Sequence, residues 1–189
     1  MKLRRRTRST TSQTCFMPCG RWSERLPIAC APDSNVDDFA LTPAERKLFQ
    51  ALDEREVRFL VIGLSAAVLE GAPVATQDID LWLETLDDRV QAAAADAEGF
   101  WISGFGIQPP AFGGAGLERI DVVLTAHGLA DFATEYQGAI VCEVDRISLH
   151  VLPLERVIAS KRATRRPKDL AALPALEATL AARGGQREL

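Results

Sequence analysis

One segment of the chain, residues 57–84, limits the possible folds more than any other. It begins with a short β-branched run, VRFLVIG at 57–63, which ends in glycine and is typical of a buried strand. A short helix rich in Ala and Leu follows at 65–70, and the period-two pattern IDLWL at 79–83 predicts a second strand. This order predicts a sheet with helices packed against it.

The rest of the sequence alternates between helical and strand patterns. Thr42, followed by Pro43 and Glu45, is typical of the start of a helix. We therefore expect an α/β (α+β) fold: a mixed β-sheet with helices packed against it and a helical C-terminus. The other predicted elements are a helix at 87–98, a strand at 120–124, a hairpin of strands at 140–144 and 147–152, and helices at 154–161 and 167–182.

The first 35 residues differ from the rest of the chain in charge. They carry seven Lys and Arg against two Asp and Glu, which leaves 15 basic and 24 acidic residues in the remainder of a chain with 22 and 26 in total. We expect residues 1–35 to be a disordered basic leader and residues 36–185 to form one domain. An acidic domain argues against broad nucleic-acid binding, which needs a basic face.

The cysteines and the hydropathy bear on where such a protein works. Three of the four cysteines lie in the leader, so Cys142 is the only one in the domain and cannot form a disulfide within it. This favours the reducing cytoplasm. No apolar run approaches the roughly 20 residues that a membrane-spanning helix needs. We therefore expect a cytoplasmic protein without a membrane partner.

Three aspartates are the candidate catalytic and metal-binding residues. Asp78 and Asp80 are two apart on a predicted strand and share one face, and Asp121 lies in an otherwise apolar strand, where an unpaired carboxylate is costly. If the two strands are neighbours, the carboxylates converge on a site suited to Mg²⁺ or Mn²⁺. The alternative is structural: Asp78 in a turn, Asp80 solvated, and Asp121 paired with Arg119 or Arg146.

Other residues are candidates for nucleotide binding. Gly63 lets a phosphate approach the backbone where a helix starts, and Ser65 offers a hydroxyl donor. Trp82 is either a core residue or a stacking surface for a base. The basic run at 156–168 is either a solvated helix face or a binding surface for a triphosphate or an RNA backbone. Its basic members are Arg156, Lys161, Arg162, Arg165, Arg166 and Lys168.

Two motifs carry a family resemblance. GLS at 63–65 followed by DID at 78–80 resembles the signature of the DNA polymerase beta-like nucleotidyltransferase superfamily. Together with IDV at 120–122 and the late segment from Lys161 to RPKDL at 166–170, the chain is similar over residues 45–180 to small bacterial nucleotidyltransferases akin to the AbiEii-type toxins. The resemblance implies metal binding by Asp78, Asp80 and Asp121, and contacts to the triphosphate by Gly63, Ser65, Lys161 and Lys168.

The resemblance also implies a function. It is the transfer of a nucleoside monophosphate from a nucleoside triphosphate to a hydroxyl acceptor (tRNA or another RNA, a protein or a small molecule) with Mg²⁺ or Mn²⁺, with a cognate toxin or antitoxin as a candidate partner. The chain departs from the family pattern at Leu64 (a second glycine), Val74 (an arginine) and Ala172 (an acid). These departures favour an alternative, a non-catalytic nucleotide-binding or antitoxin module with a degenerate site.

Overall fold

The computed structural model describes residues 39–186, so the expectation of a disordered leader at 1–35 lies outside the described residues. In chain order, the elements are α1 (Pro43–Glu54), β1 (Phe59–Ile62), α2 (Gly63–Leu69), β2 (Ile79–Leu83), α3 (Asp88–Asp96), β3 (Phe100–Ile102), β4 (Ala111–Gly113), β5 (Ile120–Val123), α4 (Phe132–Gln137), β6 (Ile140–Val144), β7 (Ile147–Val151), α5 (Leu154–Thr164) and α6 (Pro167–Gln186).

A five-stranded mixed sheet lies at the centre of this fold, with the strand order β5-β2-β1-β7-β6. β1 pairs antiparallel with β2 and parallel with β7, while β5 pairs parallel with β2 at one edge. All four residues of β1 are buried, and this strand lies at the centre of the sheet between β2 and β7. The predicted α/β (α+β) class is confirmed.

Local sequence signals explain where several elements begin. The Thr42 hydroxyl accepts a hydrogen bond from the Glu45 N–H at 3.1 Å, and the Glu45 carboxylate accepts one from the Thr42 N–H at 2.8 Å, which completes the predicted capping box of α1. β6 and β7 form the predicted hairpin, in which Val144 is paired with Ile147. α5 packs against α6, and α2 packs against α5. These contacts bring the C-terminal helices next to the centre of the sheet.

Three elements were not predicted. β3 and β4 are three residues each and form a separate two-stranded sheet whose outer residues Phe100 and Ile102 are exposed, so they show no apolar periodicity. α4 is only six residues long and is capped by Asp131, whose side chain accepts a hydrogen bond from the Thr134 N–H. Elements this short give too few residues for a period to be read.

Two further observations concern the cysteine of the domain and the length of the helices. Cys142 is fully buried in β6. Within residues 39–186, none of the helices combines the length and the apolar character needed to cross a membrane.

Candidate active site

Asp80 lies in β2, directly against the turn that joins β1 to α2. The antiparallel register pairs Asp80 with Ile62, and Gly63 follows with φ +67°. A Cβ atom at Gly63 would lie 1.9 Å from the Oδ2 atom of Asp80. The position therefore requires glycine twice over, for its backbone conformation and for the close approach of the carboxylate.

Asp121 is the partner of Asp80 on the neighbouring strand. β2 and β5 run parallel with Asp80 in register with Asp121, and adjacent strands are about 4.8 Å apart, so the two side chains leave the same face of the sheet. Asp78 is exposed just before β2. Burial and then the charge of Asp121 raise the pKa of Asp80, while burial and then the charge of Asp78 raise the pKa of Asp121. Asp80 and Asp121 therefore lie side by side, and Asp78 lies close enough for its charge to raise the pKa of both.

The ion pairs that a structural role for Asp121 requires are not present. Arg119 instead donates to the fully buried Glu45, from Nε at 2.9 Å and from Nη2 at 2.7 Å. Arg146 makes no ion pair within residues 39–186, and neither does Asp121. The negative charge of Asp121 is therefore left without a protein cation at salt-bridge distance in the described part of the chain.

The donor set suits a hard divalent cation. Among residues 39–186, no group of three His, Cys, Asp or Glu side chains is already arranged as a metal site. Carboxylate oxygens are nevertheless the ligands that Mg²⁺ and Mn²⁺ prefer, and a cation would offset the repulsion between Asp80 and Asp121. Asp78, Asp80 and Asp121 are the residues that could hold it.

A cleft of about 500 Å³ opens beside Asp80, whereas Asp78 and Asp121 do not line it. Gly63 and Asp80 line the cleft together with residues of α5, of the link to α6 and of α6, among them Lys161, Arg166 and Asp169. The loop 125–129 closes a third side. It packs tightly on α5, since a Cβ at Gly128 would lie 2.4 Å from the Ala163 Cβ. The cleft thus contains Asp80 of the strand pair and the cations Lys161 and Arg166, which are paired with Asp169.

Two predicted lysines reach this region in different ways. The Lys161 side chain is 11% exposed and its Nζ lies 3.0 Å from Asp169 Oδ1. Lys168 is exposed and makes no ion pair within the described chain. The charges of both lysines oppose the rise in the pKa of Asp80, and Lys168 does the same for Asp121. Both cations therefore act on the carboxylates.

Of two other predicted nucleotide-binding residues, one lies outside the cleft and the other is hydrogen-bonded within the protein. Arg165 ends α5 in the left-handed conformation with φ +52°, is exposed and does not line the cleft. Ser65 is fully buried, and its hydroxyl donates to the Ile62 carbonyl at 2.7 Å and accepts from the Asp80 N–H at 3.3 Å. The Ser65 hydroxyl therefore secures the turn to β2 rather than facing a ligand.

Sequence reasoning missed some residues of the cleft. His127 lies in the loop after β5 and lines the cleft, although nothing in the sequence marks it as functional. Asp169 stands in the RPKDL motif, and an acid at the start of a helix that follows a basic run is a signal for an ion pair. Trp82 is 8% exposed and packs edge-on against Phe132 at 5.4 Å, so it is a core residue.

Comparisons with known proteins place this geometry in a fold. No protein-family model and no curated protein matches the chain. The crystal structure of ANT(2'')-Ia in complex with adenylyl-2''-tobramycin is similar over 79% of this chain and 91% of that chain, with 16% identity and a TM-score of 0.51. The chain has a nucleotidyltransferase fold.

Two other solved structures with a nucleotidyltransferase fold are weaker matches. The solution structure of the antibiotic-resistance factor ANT(2'')-Ia is 17% identical over 77% of this chain and 91% of that chain, with a TM-score of 0.48. An antigenic nucleotidyltransferase-like protein from Paracoccidioides brasiliensis is 16% identical over 84% of this chain and 91% of that chain, with a TM-score of 0.45. At these identities the similarity is one of fold, and chemistry has to be inferred from the residues of this chain.

Proposed function

We propose that this protein is a metal-dependent nucleotidyltransferase that moves a nucleoside monophosphate from a nucleoside triphosphate to a hydroxyl acceptor. The observation that carries the proposal is the in-register pair of Asp80 and Asp121 beside a cleft that Lys161 and Arg166 line. Two carboxylates that repel each other, beside a cleft that also holds two cations with unused N–H donors, suit a triphosphate bound with a divalent ion.

Each residue has a role that follows from its position. A divalent ion held by Asp78, Asp80 and Asp121 would offset the charge that develops on the phosphates. Lys161 and Lys168 neutralise phosphate oxygens. Asp121 is the exposed member of the strand pair and is therefore placed to accept the proton of the acceptor hydroxyl.

The bond changes in this reaction are balanced. The acceptor oxygen bonds to the α-phosphorus while the bond from that phosphorus to the bridging oxygen breaks. Pyrophosphate leaves with the electron pair, and the acceptor proton passes to the carboxylate. The chain's contribution is to orient these groups and to compensate their charge.

The acceptor and the partner proteins belong to the same proposal. The resemblance to AbiEii-type toxins supports an RNA or protein acceptor and a cognate toxin or antitoxin. The complex of ANT(2'')-Ia with adenylyl-2''-tobramycin is an example in the same fold of a small-molecule acceptor. An open cleft of about 500 Å³ has room for a nucleotide at one end and a reactive hydroxyl at the other.

A second candidate is a non-catalytic nucleotide-binding or antitoxin module. It is favoured by two observations at the turn. Leu64 stands where the related sequences have a second glycine, and the Ser65 hydroxyl is already bonded to Ile62 and Asp80. Such a module would bind nucleotide without transferring it.

Two measurements on wild type and Asp80→Asn test the proposal: the transfer of a radioactive label from the nucleotide, and thermal stability. The full chain is incubated with each α-³²P-labelled nucleoside triphosphate, Mg²⁺ and a cell extract, and both labelled products and pyrophosphate are measured. We expect Asp80→Asn to lower transfer by at least about 100-fold. In chelator the variant should be at least as stable as wild type. Two carboxylates about 5 Å apart repel by at most roughly 3 kcal/mol at an effective dielectric of 20, less after screening by solvent.

With Mg²⁺ and nucleotide the order of melting temperatures should reverse, because only wild type gains stability from the ligand. Asp96→Asn is the matched control, since Asp96 is an exposed acid on α3 paired with Arg55. Nucleotide binding without labelled product or pyrophosphate would instead identify the non-catalytic module. An unchanged order of stability across the conditions would contradict the metal site.

A further inference from the structure

One carboxylate is buried at the corner where α5 and α6 meet, and the proposed reaction does not use it. The Asp169 side chain is 2% exposed. Its Oδ1 accepts from Lys161 Nζ at 3.0 Å, and its Oδ2 accepts from Thr164 Oγ1 at 2.8 Å and from Arg166 Nε at 2.6 Å. Burial would raise the pKa of Asp169, but these three hydrogen bonds outweigh it and lower the pKa to about 2. Asp169 is therefore an anion with both oxygens occupied.

The two cations on Asp169 keep donors for another ligand. A lysine ammonium has three N–H groups and an arginine side chain has five. Lys161 gives one hydrogen bond to Asp169, and Arg166 gives only its Nε–H, so its two Nη groups are unused within the described chain. Both residues line the cleft, and the Arg166 side chain is 60% exposed. The hydrogen bonds to Asp169 thus orient Lys161 and Arg166 but leave some of their N–H donors available for a ligand.

We propose that Asp169 is a positioning residue for phosphate binding, which holds Lys161 and Arg166 in the cleft that Asp80 also lines. Long cationic side chains lose rotamer freedom when they grip a ligand, and fixing them beforehand removes that loss from the binding step. The inference rests on the proposed function, because that function is what brings phosphate to the cleft.

The sign of the change in affinity shows whether Asp169 acts by positioning the two cations or only through its own charge. Asp169 is negative, so removing its charge beside an anionic ligand should tighten binding if only Coulomb attraction mattered. If Asp169 positions the cations, Asp169→Asn should weaken binding, because an amide cannot accept from three donors and leaves Lys161 and Arg166 mobile. The two explanations predict opposite signs.

The experiment measures affinity in the full chain with a probe that cannot be turned over. Calorimetric titration with α,β-methylene-ATP and Mg²⁺ is performed on wild type, Asp169→Asn, Lys161→Met and the double variant. We expect binding to weaken about tenfold in Asp169→Asn but no more than about threefold when the same change is made in the Lys161→Met background. A purely structural role would give the same loss in both backgrounds.

A matched control lies on the same pair of helices. Arg162 on α5 pairs with Glu177 on α6 at 2.7 Å, with both side chains largely exposed. Glu177→Gln breaks an ion pair between α5 and α6 outside the cleft and should leave affinity within twofold of wild type. Asp169→Glu keeps the charge and should restore part of the affinity that Asp169→Asn loses.

The outcomes are distinct. Equal or tighter binding by Asp169→Asn, or an equal loss with and without Lys161, overturns this inference alone. A wild type that does not bind the analogue overturns the proposed function as well. If Asp169→Asn does not fold, Thr164→Val removes one hydrogen bond to Asp169 and is tested in the same cycle. A twofold to threefold loss of affinity in Thr164→Val that disappears in the Lys161→Met background supports the inference. An equal loss in both backgrounds overturns it.

Discussion

Gly63→Ala tests whether the position of the Asp80 carboxylate, rather than the stability of the turn, governs activity. The added Cβ would lie 1.9 Å from Asp80 Oδ2 and 2.8 Å from its Cγ. Ordinary contact is about 3.4 Å, so the carboxylate must move by about 1.5 Å. A non-glycine residue at φ +67° also costs about 1–2 kcal/mol. Because a side-chain end can rotate away, the clash adds little to this stability loss.

The expected result is a mild loss of stability with a large loss of activity. The melting temperature should fall by about 2–8 °C. Nucleotidyl transfer should fall at least about 100-fold, since a displacement of 1 Å at a reacting group has effects of that size. Melting curves and transfer rates are measured on the same samples.

Gly106→Ala is the matched control for the backbone effect. Gly106 has φ +62°, and a Cβ there meets nothing within 4 Å. It should lose similar stability and keep its transfer rate. Transfer by Gly63→Ala within threefold of wild type, or an equal loss in Gly106→Ala, would refute the assignment of Asp80 to the chemistry.

Three further predictions concern buried carboxylates. The folded pKa of Asp169, about 2, is below its ordinary value of 3.8, so its contribution to stability is present above pH 4 and is lost as the pH falls towards 2. The free energy of unfolding of Asp169→Asn, measured in urea, should therefore depend less on pH in this range than that of wild type. An identical pH profile for the two proteins would count against the lowered pKa. Arg183→Met leaves Glu70 buried without its cation and should lower the free energy of unfolding by about 3 kcal/mol. Adding Glu70→Gln to this variant should recover part of the lost free energy in denaturant titrations. No recovery would speak against an unpaired charge on Glu70 as the cause. Glu45→Ala removes the carboxylate that completes the capping box of α1 and that pairs with Arg119, and should cost about 3 kcal/mol or more in thermal unfolding. A loss below 1 kcal/mol would show that the pair is not structural.

The sequence predicted those parts of the fold that are written in local patterns. The strand, glycine, helix and strand of residues 57–84 were recognisable because burial imposes a period on each element. The hairpin at 140–152 was recognisable for the same reason. The neighbouring positions of Asp80 and Asp121 could only be stated as a condition, since nothing local shows which strands pair.

Other features depend on tertiary contacts and gave no signal. That Ser65 is buried and bonded to Asp80 follows from how α2 sits on β2. Arg165 and Lys161 look alike in a basic run, yet the left-handed end of α5 turns Arg165 away from the cleft. Asp169 became informative only when α6 brought it against α5.

The parallel register of β2 and β5 limits how this protein can change during evolution. The two strands are joined through residues 84–119, which include α3, whose Val90, Ala93 and Ala94 are buried in the core, and the small β3–β4 sheet, whose Phe100 and Ile102 are exposed. The exposed part of this connection can change in length without moving Asp80. A shift of one residue within β5 is different, because it would turn Asp121 to the opposite face of the sheet and bring an apolar neighbour into its place. We therefore expect insertions in the exposed part of the connection to leave the pair of carboxylates in place, and insertions inside β5 to separate it.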